Sequence, residues 1–391
     1  MCIRDRYLIF ILSKQGIVMK QERLKLSNIS LKGYKSINSD GQSIDFQDIT
    51  IFLGANAAGK SNLISFFSML NSIRASSLNI FVGENGSTDA FLYYGSKQTN
   101  QIEAAIQFSN STEKNTYKFI ISYAANDTFI FKEESLILEK DNQKPFQISS
   151  YSGLKERTKF FSDKEANFLK TMHFLLRTCK VFQFHDTSKT SKVINKIFIH
   201  DNYFLQRDGR NLAAFLYLLK LKEKKYYDRI VRYIQQIMPR FGDFELLPSL
   251  LNENYIMLNW REKKSDYLFG PHQISDGSLR FMCLATLLLQ PPKFLPSVII
   301  LDEPELGLHP SAISVLRGMT KIASQHCQIV MATQSTRLVD EFEAKNIVIV
   351  ERDDKENCSI YKTLDEEKLQ TWLERYSLSE LWEKNVLGGQ P

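Results

Sequence analysis

Ile49-Thr50-Ile51-Phe52-Leu53-Gly54-Ala55-Asn56-Ala57-Ala58-Gly59-Lys60-Ser61 runs from a nearly continuous apolar stretch straight into the pattern G-x-x-x-x-G-K-[S/T]. Such a run suits a strand buried on both faces of a parallel sheet. Residues 61–74 then place Leu63, Phe66, Phe67, Leu70 and Ile73 at helical spacing. Strand, glycine-rich loop and helix in that order form an anion site, because backbone N–H groups turn inward and the helix N-terminus favours negative charge. Lys60 is expected to reach the β- and γ-phosphates of a nucleotide, and the Ser61 hydroxyl to hold Mg²⁺. Gly54, Ala55, Asn56, Ala57, Ala58, Gly59, Lys60, Ser61 and the following Asn62 are the expected nucleotide-binding set.

Upstream of this loop, 24–31 and 44–46 read as strands around the turn Asn38-Ser39-Asp40-Gly41. Downstream, 102–138 switches to two-residue alternation broken by polar turns, which predicts an antiparallel meander. Residues 150–260 are richer in Lys, Leu, Phe and Tyr at helical spacing, above all 211–238, and are expected to form a helical insertion. From 297 onward, apolar runs at 298–301, 329–332 and 347–350, with a helix over 312–324, predict a mostly parallel sheet covered by helices. The expected division is an extension at 1–21, an ATPase lobe at 22–149, the insertion at 150–272 and a second lobe at 273–391.

At 391 residues the chain is long enough for two domains or one domain with an insertion. Its 43% hydrophobic and 24% charged residues are ordinary for a globular protein and ask for no disorder. A net charge of +6 is compatible with a polyanionic partner but too small to argue for one. The five Cys are widely spaced, odd in number and without C-x-x-C spacing, which argues against a disulfide framework or zinc site and fits a reducing cytosol. Tyr7 to Leu12 is a six-residue apolar run, too short to span a bilayer and without a cleavage site. Residues 1–21 are expected to be non-native or disordered, with Met19 as the true start, and the protein to be soluble and cytoplasmic.

Two further segments carry chemistry. Val298-Ile299-Ile300-Leu301-Asp302-Glu303-Pro304 is an apolar strand that delivers two carboxylates to the C-terminal edge of a sheet, where open α/β folds bind ligands. Asp302 would hold Mg²⁺, directly or through water, and Glu303 would orient and polarise an attacking water. Gln273-Ile274-Ser275-Asp276-Gly277-Ser278-Leu279-Arg280 precedes an apolar helix over 281–289. Its serines and glycine could form a second anion site, or Ser275 and Asp276 could simply cap the helix.

Phosphate loop, S-D-G-S-L-R, I-I-L-D-E-P-E-L-G-L-H-P and M-A-T-Q-S, in that order, resemble the ABC-type ATPase heads of the RecF/SMC/OLD-like group. More narrowly, the chain resembles bacterial AAA-domain ATPases, RecF-like or associated with antiphage defence, from about Leu24 to its end. That resemblance implies a P-loop NTPase fold of α/β class, an ABC-type head with antiparallel meander and helical insertion. It implies that Ser275, Asp276, Gly277 and Ser278 form a signature motif contacting the γ-phosphate bound by a second subunit. Glu305 to His309 matches the interface segment after the catalytic Glu303. Gln334 stands where many members carry a switch His. Since Gln cannot carry a proton at neutral pH, its role would be hydrogen bonding to the γ-phosphate or the attacking water. Asp276 replaces the Gly of ABC transporters, which points away from transport.

Gln183 could sense Mg²⁺ or water, with His185 and Asp186 nearby, or be a polar strand end. Lys32-Gly33-Tyr34-Lys35-Ser36-Ile37 resembles the family's N-terminal strand and turn, where a basic or aromatic residue approaches the nucleotide. The basic run Lys220, Lys222, Lys224, Lys225, Arg229 and Arg232, with Tyr226, Tyr227 and Tyr233, could track nucleic acid or be one solvated helix face. The C-terminal 369–387 fits one or two short helices that pack on the core or dock a partner.

The expected activity is hydrolysis of ATP, with Mg²⁺, by a nucleotide-gated homodimer coupled to a DNA- or RNA-related process (repair or antiphage defence) through a nuclease or other effector protein. The alternatives are an ATP-binding scaffold restraining a toxin or nuclease, and a transporter ATPase subunit; the sequence carries no nuclease constellation and no membrane span.

Overall fold

The computed structural model describes residues 22–141, 143–150, 163–186, 191–249, 251–353 and 355–389, so the extension expected at 1–21 lies outside the described residues. Strand β1 (Lys25–Lys32) pairs antiparallel with β2 (Gln42–Asp45), and β3 (Ile49–Leu53) follows with all five residues buried. The phosphate loop leads into α1 (Lys60–Arg74) and a short α2 (Leu78–Glu84). The expected meander is present as β4 (Gln101–Ser109), β5 (Glu113–Ala124) and β6 (Thr128–Lys140), and β7 (Phe146–Ser150) extends it. With β1 and β2 these strands form one antiparallel sheet in the order β2-β1-β4-β5-β6-β7. In β4 every second residue, Ile102, Ala104, Ile106 and Phe108, is buried, which is the alternation a one-sided sheet produces.

The stretch expected to be a helical insertion is mixed. It contains α3 (Asp163–Arg177), β8 (Cys179–Phe182), β9 (Ile197–Phe198), α4 (Leu212–Lys222) and α5 (Lys224–Ile237). These are followed by β10 (Phe241–Glu245), β11 (Pro248–Ser249), β12 (Asn252–Ile256), β13 (Asn259–Glu262) and β14 (Leu268–Phe269). Two small sheets, β10-β13-β14 and β11-β12-β9, result. Strands of two to five residues offer too few alternations to be read against strongly periodic helices beside them.

The remaining chain runs through α6 (Asp276–Leu289), β15 (Val298–Asp302), α7 (Pro310–Ser324), β16 (Gln328–Thr333) and α8 (Thr336–Asp340). It ends in β17 (Ile347–Asp353), β18 (Cys358–Thr363), α9 (Glu366–Leu373) and α10 (Leu378–Glu383). The second large sheet has the order β18-β17-β3-β16-β15-β8, parallel except for the β17–β18 pair. It separates two apolar cores. Ile51, Leu53, Ile299 and Leu301 pack with Phe215 of α4, Phe281 of α6 and Leu316 of α7. Phe52, Ile300, Val330 and Val350 pack with Phe66 and Phe67 of α1 and with Ile29 and Ile106 of the antiparallel sheet. Alternate side chains thus enter different cores, each large one contributing roughly 1.5–3 kcal/mol by its burial, and this is why the strands read as unbroken apolar runs.

The buried Gln328 amide joins the two sheets: its Nε2 donates to Leu26 O at 2.8 Å, and its Oε1 accepts from Leu26 N–H at 2.7 Å. Parallel register then brings the strand ends level. Leu53 lies beside Thr333, Asp302 beside Ala332 and Phe182 beside Leu301, so the segments following β3, β15, β16 and β8 leave from one sheet edge.

Candidate functional site

At that edge the phosphate loop turns into α1 at Gly59, whose φ is 120°. Gly59 offers no side chain to cap the helix, and the first turn contains no acid. The amide end of a fifteen-residue helix is therefore left for an anion. The glycines also allow close packing on the protein side. A Cβ at Gly54 would stand 2.2 Å from Val350 O, and one at Gly59 2.2 Å from Ser359 Oγ. Asn56, Ala57 and Ser61 are exposed, whereas Gly54, Ala58 and Gly59 are buried and Ala55 and Asn62 lie between.

Lys60 is buried, with Nζ donating to Gly54 O at 2.6 Å and Ala55 O at 2.8 Å. Ser36 of the N-terminal turn and three residues that the sequence did not single out brace the loop. Ser359 Oγ donates to Ala58 O at 2.5 Å and bonds Ser36 Oγ at 2.7 Å, and Asn62 Nδ2 donates to the same Ser36 Oγ at 2.7 Å. Tyr361 OH donates to Gly59 O at 3.0 Å, and Ala55 N–H donates to Gly389 O at 3.1 Å.

The carboxylates arrive from β15. Burial raises the Asp302 carboxyl and the neighbouring Glu303 adds to this, while His185 and Lys60 oppose it. Burial likewise lowers the Lys60 ammonium, and Glu303, Asp302 and Glu305 pull it back up. Loop lysine and strand acids therefore share one electrostatic environment, as expected of residues that handle the same phosphate and cation. Glu303 has φ 40°, a sparsely populated conformation costing roughly 1–3 kcal/mol, held by its N–H donating to Ala332 O at 2.8 Å. Among the described residues no group of three or more His, Cys, Asp or Glu could hold a metal alone. A Mg²⁺ ion suits the oxygen donors present, the Ser61 hydroxyl and the Asp302 carboxylate, with phosphate oxygens completing its shell.

Glu305 is a buried carboxyl that the sequence placed only in an interface segment. Thr333 Oγ1 donates to its Oε1, and its Oε2 is buried without a hydrogen-bond partner. Burial pushes its pKa up to about 7, against the Thr333 hydrogen bond and aided by Glu303 and Asp302. Gln334 is exposed in the turn between Thr333 and Ser335, at the same edge as Glu303. Gln183 is also exposed there and its N–H donates to Arg207 O at 3.0 Å, but the charge that reaches Asp302 from this segment is that of His185.

Ser275 caps α6, accepting from Ser278 N–H at 3.3 Å, while its hydroxyl donates to Ser278 Oγ at 2.9 Å. Ser275 and Asp276 are exposed. Behind them, a Cβ at Gly277 would meet Gly307 O at 2.3 Å, so only Gly allows the two backbones this approach. Arg280 Nη1 donates to Leu306 O at 2.7 Å and Nη2 to His185 O at 2.9 Å. The motif is thus fastened to the segments following Glu303 and β8, with Ser275 exposed and Ser278 half-buried.

The other candidates are absorbed by the fold. Tyr34 is buried with its OH on Ser65 Oγ at 3.1 Å, and Lys35 Nζ donates to the same hydroxyl at 2.9 Å. In the basic run, Lys220 bonds Asp243, Lys224 pairs with Asp228, Arg229 donates to Leu289 O at 2.5 Å, and the buried Tyr227 donates to Asp243 at 2.6 Å. Lys222, Lys225 and Arg232 remain exposed. Among the described residues no helix is long and apolar enough to cross a membrane.

Known proteins share this fold. A family model described as "AAA domain, putative AbiEii toxin, Type IV TA system" matches residues 49–340. A "Putative ABC transporter ATP-binding protein" of Methanosarcina acetivorans is 32% identical over 83 residues, 21% of this chain, which spans only 29% of that relative. An Smc head bound to the C-winged helix domain of ScpA superimposes with a TM-score of 0.53 at 16% identity, covering 88% of this chain and 99% of that one. An Smc head with an extended coiled coil, bound to the C-terminal domain of ScpA derived from Pyrococcus furiosus, gives 0.52 at 13% identity, with 90% and 99% covered. At such identities the structural likeness is one of fold.

Proposed function

We propose that the chain, which belongs to this AAA-domain family and shares the fold of the Smc head, is a P-loop ATPase that hydrolyses ATP as a nucleotide-gated homodimer. The observation that carries the reading is the parallel register of β3, β16 and β15, which brings the phosphate loop after Leu53 and the acids Asp302 and Glu303 to one sheet edge, where Lys60 and the acids feel each other's charge. In this reading Lys60 and the loop amides bind the phosphates, and Gln334 hydrogen-bonds the γ-phosphate or the attacking water. Glu303 orients that water and draws its proton as the oxygen attacks. Mg²⁺, held by Ser61 and Asp302, would offset phosphate charge. Gln183 lies level with Asp302 through the β8–β15 register, which is compatible with a supporting contact to the cation or its water.

Dimerisation is favoured by the exposed Ser275 and the half-buried Ser278. They lie at the start of a fourteen-residue helix, where a γ-phosphate bound by a second copy would find two hydroxyls and the helix N-terminus. The lobes 22–149 and 273–391 would then form the ATPase head, with 150–272 inserted between them. We further propose that opening and closing of the dimer is passed to a second protein acting on nucleic acid, in repair or antiphage defence. The family description names a putative toxin of a toxin–antitoxin system, and the Smc heads that share the fold are bound to ScpA, which favours work through a partner.

Glu303→Gln tests the reading. It keeps the size and hydrogen-bonding reach of the side chain but removes the base, so turnover is expected to fall by about a hundredfold to ten-thousandfold while ATP binding persists. Light scattering with ATP should then report twice the monomer mass. A variant that stays monomeric with ATP bound would overturn the dimer, and undiminished phosphate release would overturn the role of Glu303.

A further inference from the structure

Two hydrogen bonds tie the ends of β15 and β16 together beyond the regular ladder. One is backbone to backbone, Glu303 N–H to Ala332 O at 2.8 Å. The other joins side chains, Thr333 Oγ1–H to Glu305 Oε1. Thr333 Oγ1 also accepts from Ser335 N–H at 2.8 Å, and Ser335 Oγ accepts from Leu338 N–H at 3.3 Å to cap α8. Gln334 is therefore the single residue between two anchored neighbours. The anchor is sunk into the core, since Thr333 is 0% exposed and Glu305 8%.

A buried carboxyl with one oxygen lacking any partner is costly where an apolar side chain would pack as well. Simple packing does not account for it. The remaining role visible at this position is geometric, because Glu305 is joined to the strand that carries Gln334 while lying two residues beyond Glu303 on its own.

We propose that Glu305 and Thr333 are a positioning pair that sets the placement of Gln334 relative to Glu303, so that both reach the same attacking water. The proposal rests on the reading of Glu303 and Gln334 as the residues that handle that water. Neither member of the pair touches the nucleotide; both act through the turn. Thr333 donates with its hydroxyl hydrogen and accepts with its lone pair, so it needs a hydroxyl and not merely its shape.

The test is steady-state phosphate release measured beside equilibrium binding of a fluorescent ATP analogue. Thr333→Val, of nearly equal volume, should lower kcat about a hundredfold, as expected for a misplaced reacting geometry, with analogue affinity within about threefold of the parent. Thr333→Ser should restore most of the turnover, since it returns the hydroxyl. Glu305→Gln should also stay within about threefold in kcat, because its amide oxygen can still accept from Thr333, whereas Glu305→Ala should match Thr333→Val. If Thr333→Val turns over like the parent, or loses binding as steeply as turnover, or is not rescued by Ser, the pair has no positioning role. Glu303→Gln and Gln334→Ala run alongside separate the two levels. Normal turnover in both removes the underlying reading, whereas loss in both with an intact Thr333→Val removes only this proposal.

Discussion

The phosphate loop and the signature segment are both polar turns at helix N-termini, yet the fold treats them in opposite ways. Around Gly54–Ser61 the chain closes in from four directions: Ser36 after β1, Ser359 and Tyr361 on β18, Val350 on β17 and Gly389 after α10. Lys60 is buried with its ammonium on loop carbonyls. At Ser275–Ser278 only the back is held, by Gly307 and through Arg280, and the two hydroxyls bond each other at the surface. The difference teaches that the loop cradle is preorganised within one chain, while the segment proposed to meet a second copy is anchored from behind and left open in front.

That contrast can be broken first at the loop. Lys60→Ala removes the buried ammonium and should weaken ATP binding by at least about a hundredfold, the cost of losing a charge-assisted contact in a desolvated site, as titration calorimetry would read. Binding within tenfold of the parent would mean that the loop amides alone hold the phosphates. At the signature end, Ser278→Ala spares the Ser275 cap and should leave ATP affinity of the monomer within about twofold. It should weaken ATP-driven dimerisation roughly tenfold to a hundredfold, the worth of one hydrogen bond to a charged group. Sedimentation at several protein concentrations would show it. Equal losses at both steps would erase the distinction between the two regions.

The smallest functional effect is expected of the conservative Glu305→Gln, whose consequence is instead pH-dependent stability. Its folded pKa of about 7 lies above the ordinary 4.5, so folding favours the protonated form. No stability is lost below the unfolded value; the cost grows as pH rises from about 4.5 and is complete above about 7. Glu305→Gln, neutral at every pH, should therefore gain on the parent by about 1–3 kcal/mol between pH 5 and pH 8 in denaturant melts without nucleotide or metal. A difference that is flat with pH would show Glu305 to be solvated.

Much of this frame was legible in the sequence because it rests on local, periodic signals. The nearly continuous apolar run before Gly54, the alternation of β4 and the apolar run ending in Asp302 and Glu303 each announce their element within a few residues. The short strands between β8 and β14 were hidden inside a region dominated by helical periodicity, and β8 supplies an edge of the parallel sheet from there. The basic run read first as a solvated helix face and second as a nucleic-acid track, and only Asp243, Asp228 and Leu289 showed how much of it is occupied within the fold.

The sequence by itself determined which residues meet the phosphate loop's requirements and which strand carries the acids, since glycines, a lysine and paired carboxylates at fixed spacing suffice for that. Tertiary structure alone decided what surrounds them. Ser359 reaches Ala58 across 301 residues, and Thr333 reaches Glu305 across 28. No local pattern encodes such pairs, because a hydrogen bond between strand ends depends on parallel register, which is set by how two apolar cores pack on opposite faces of one sheet.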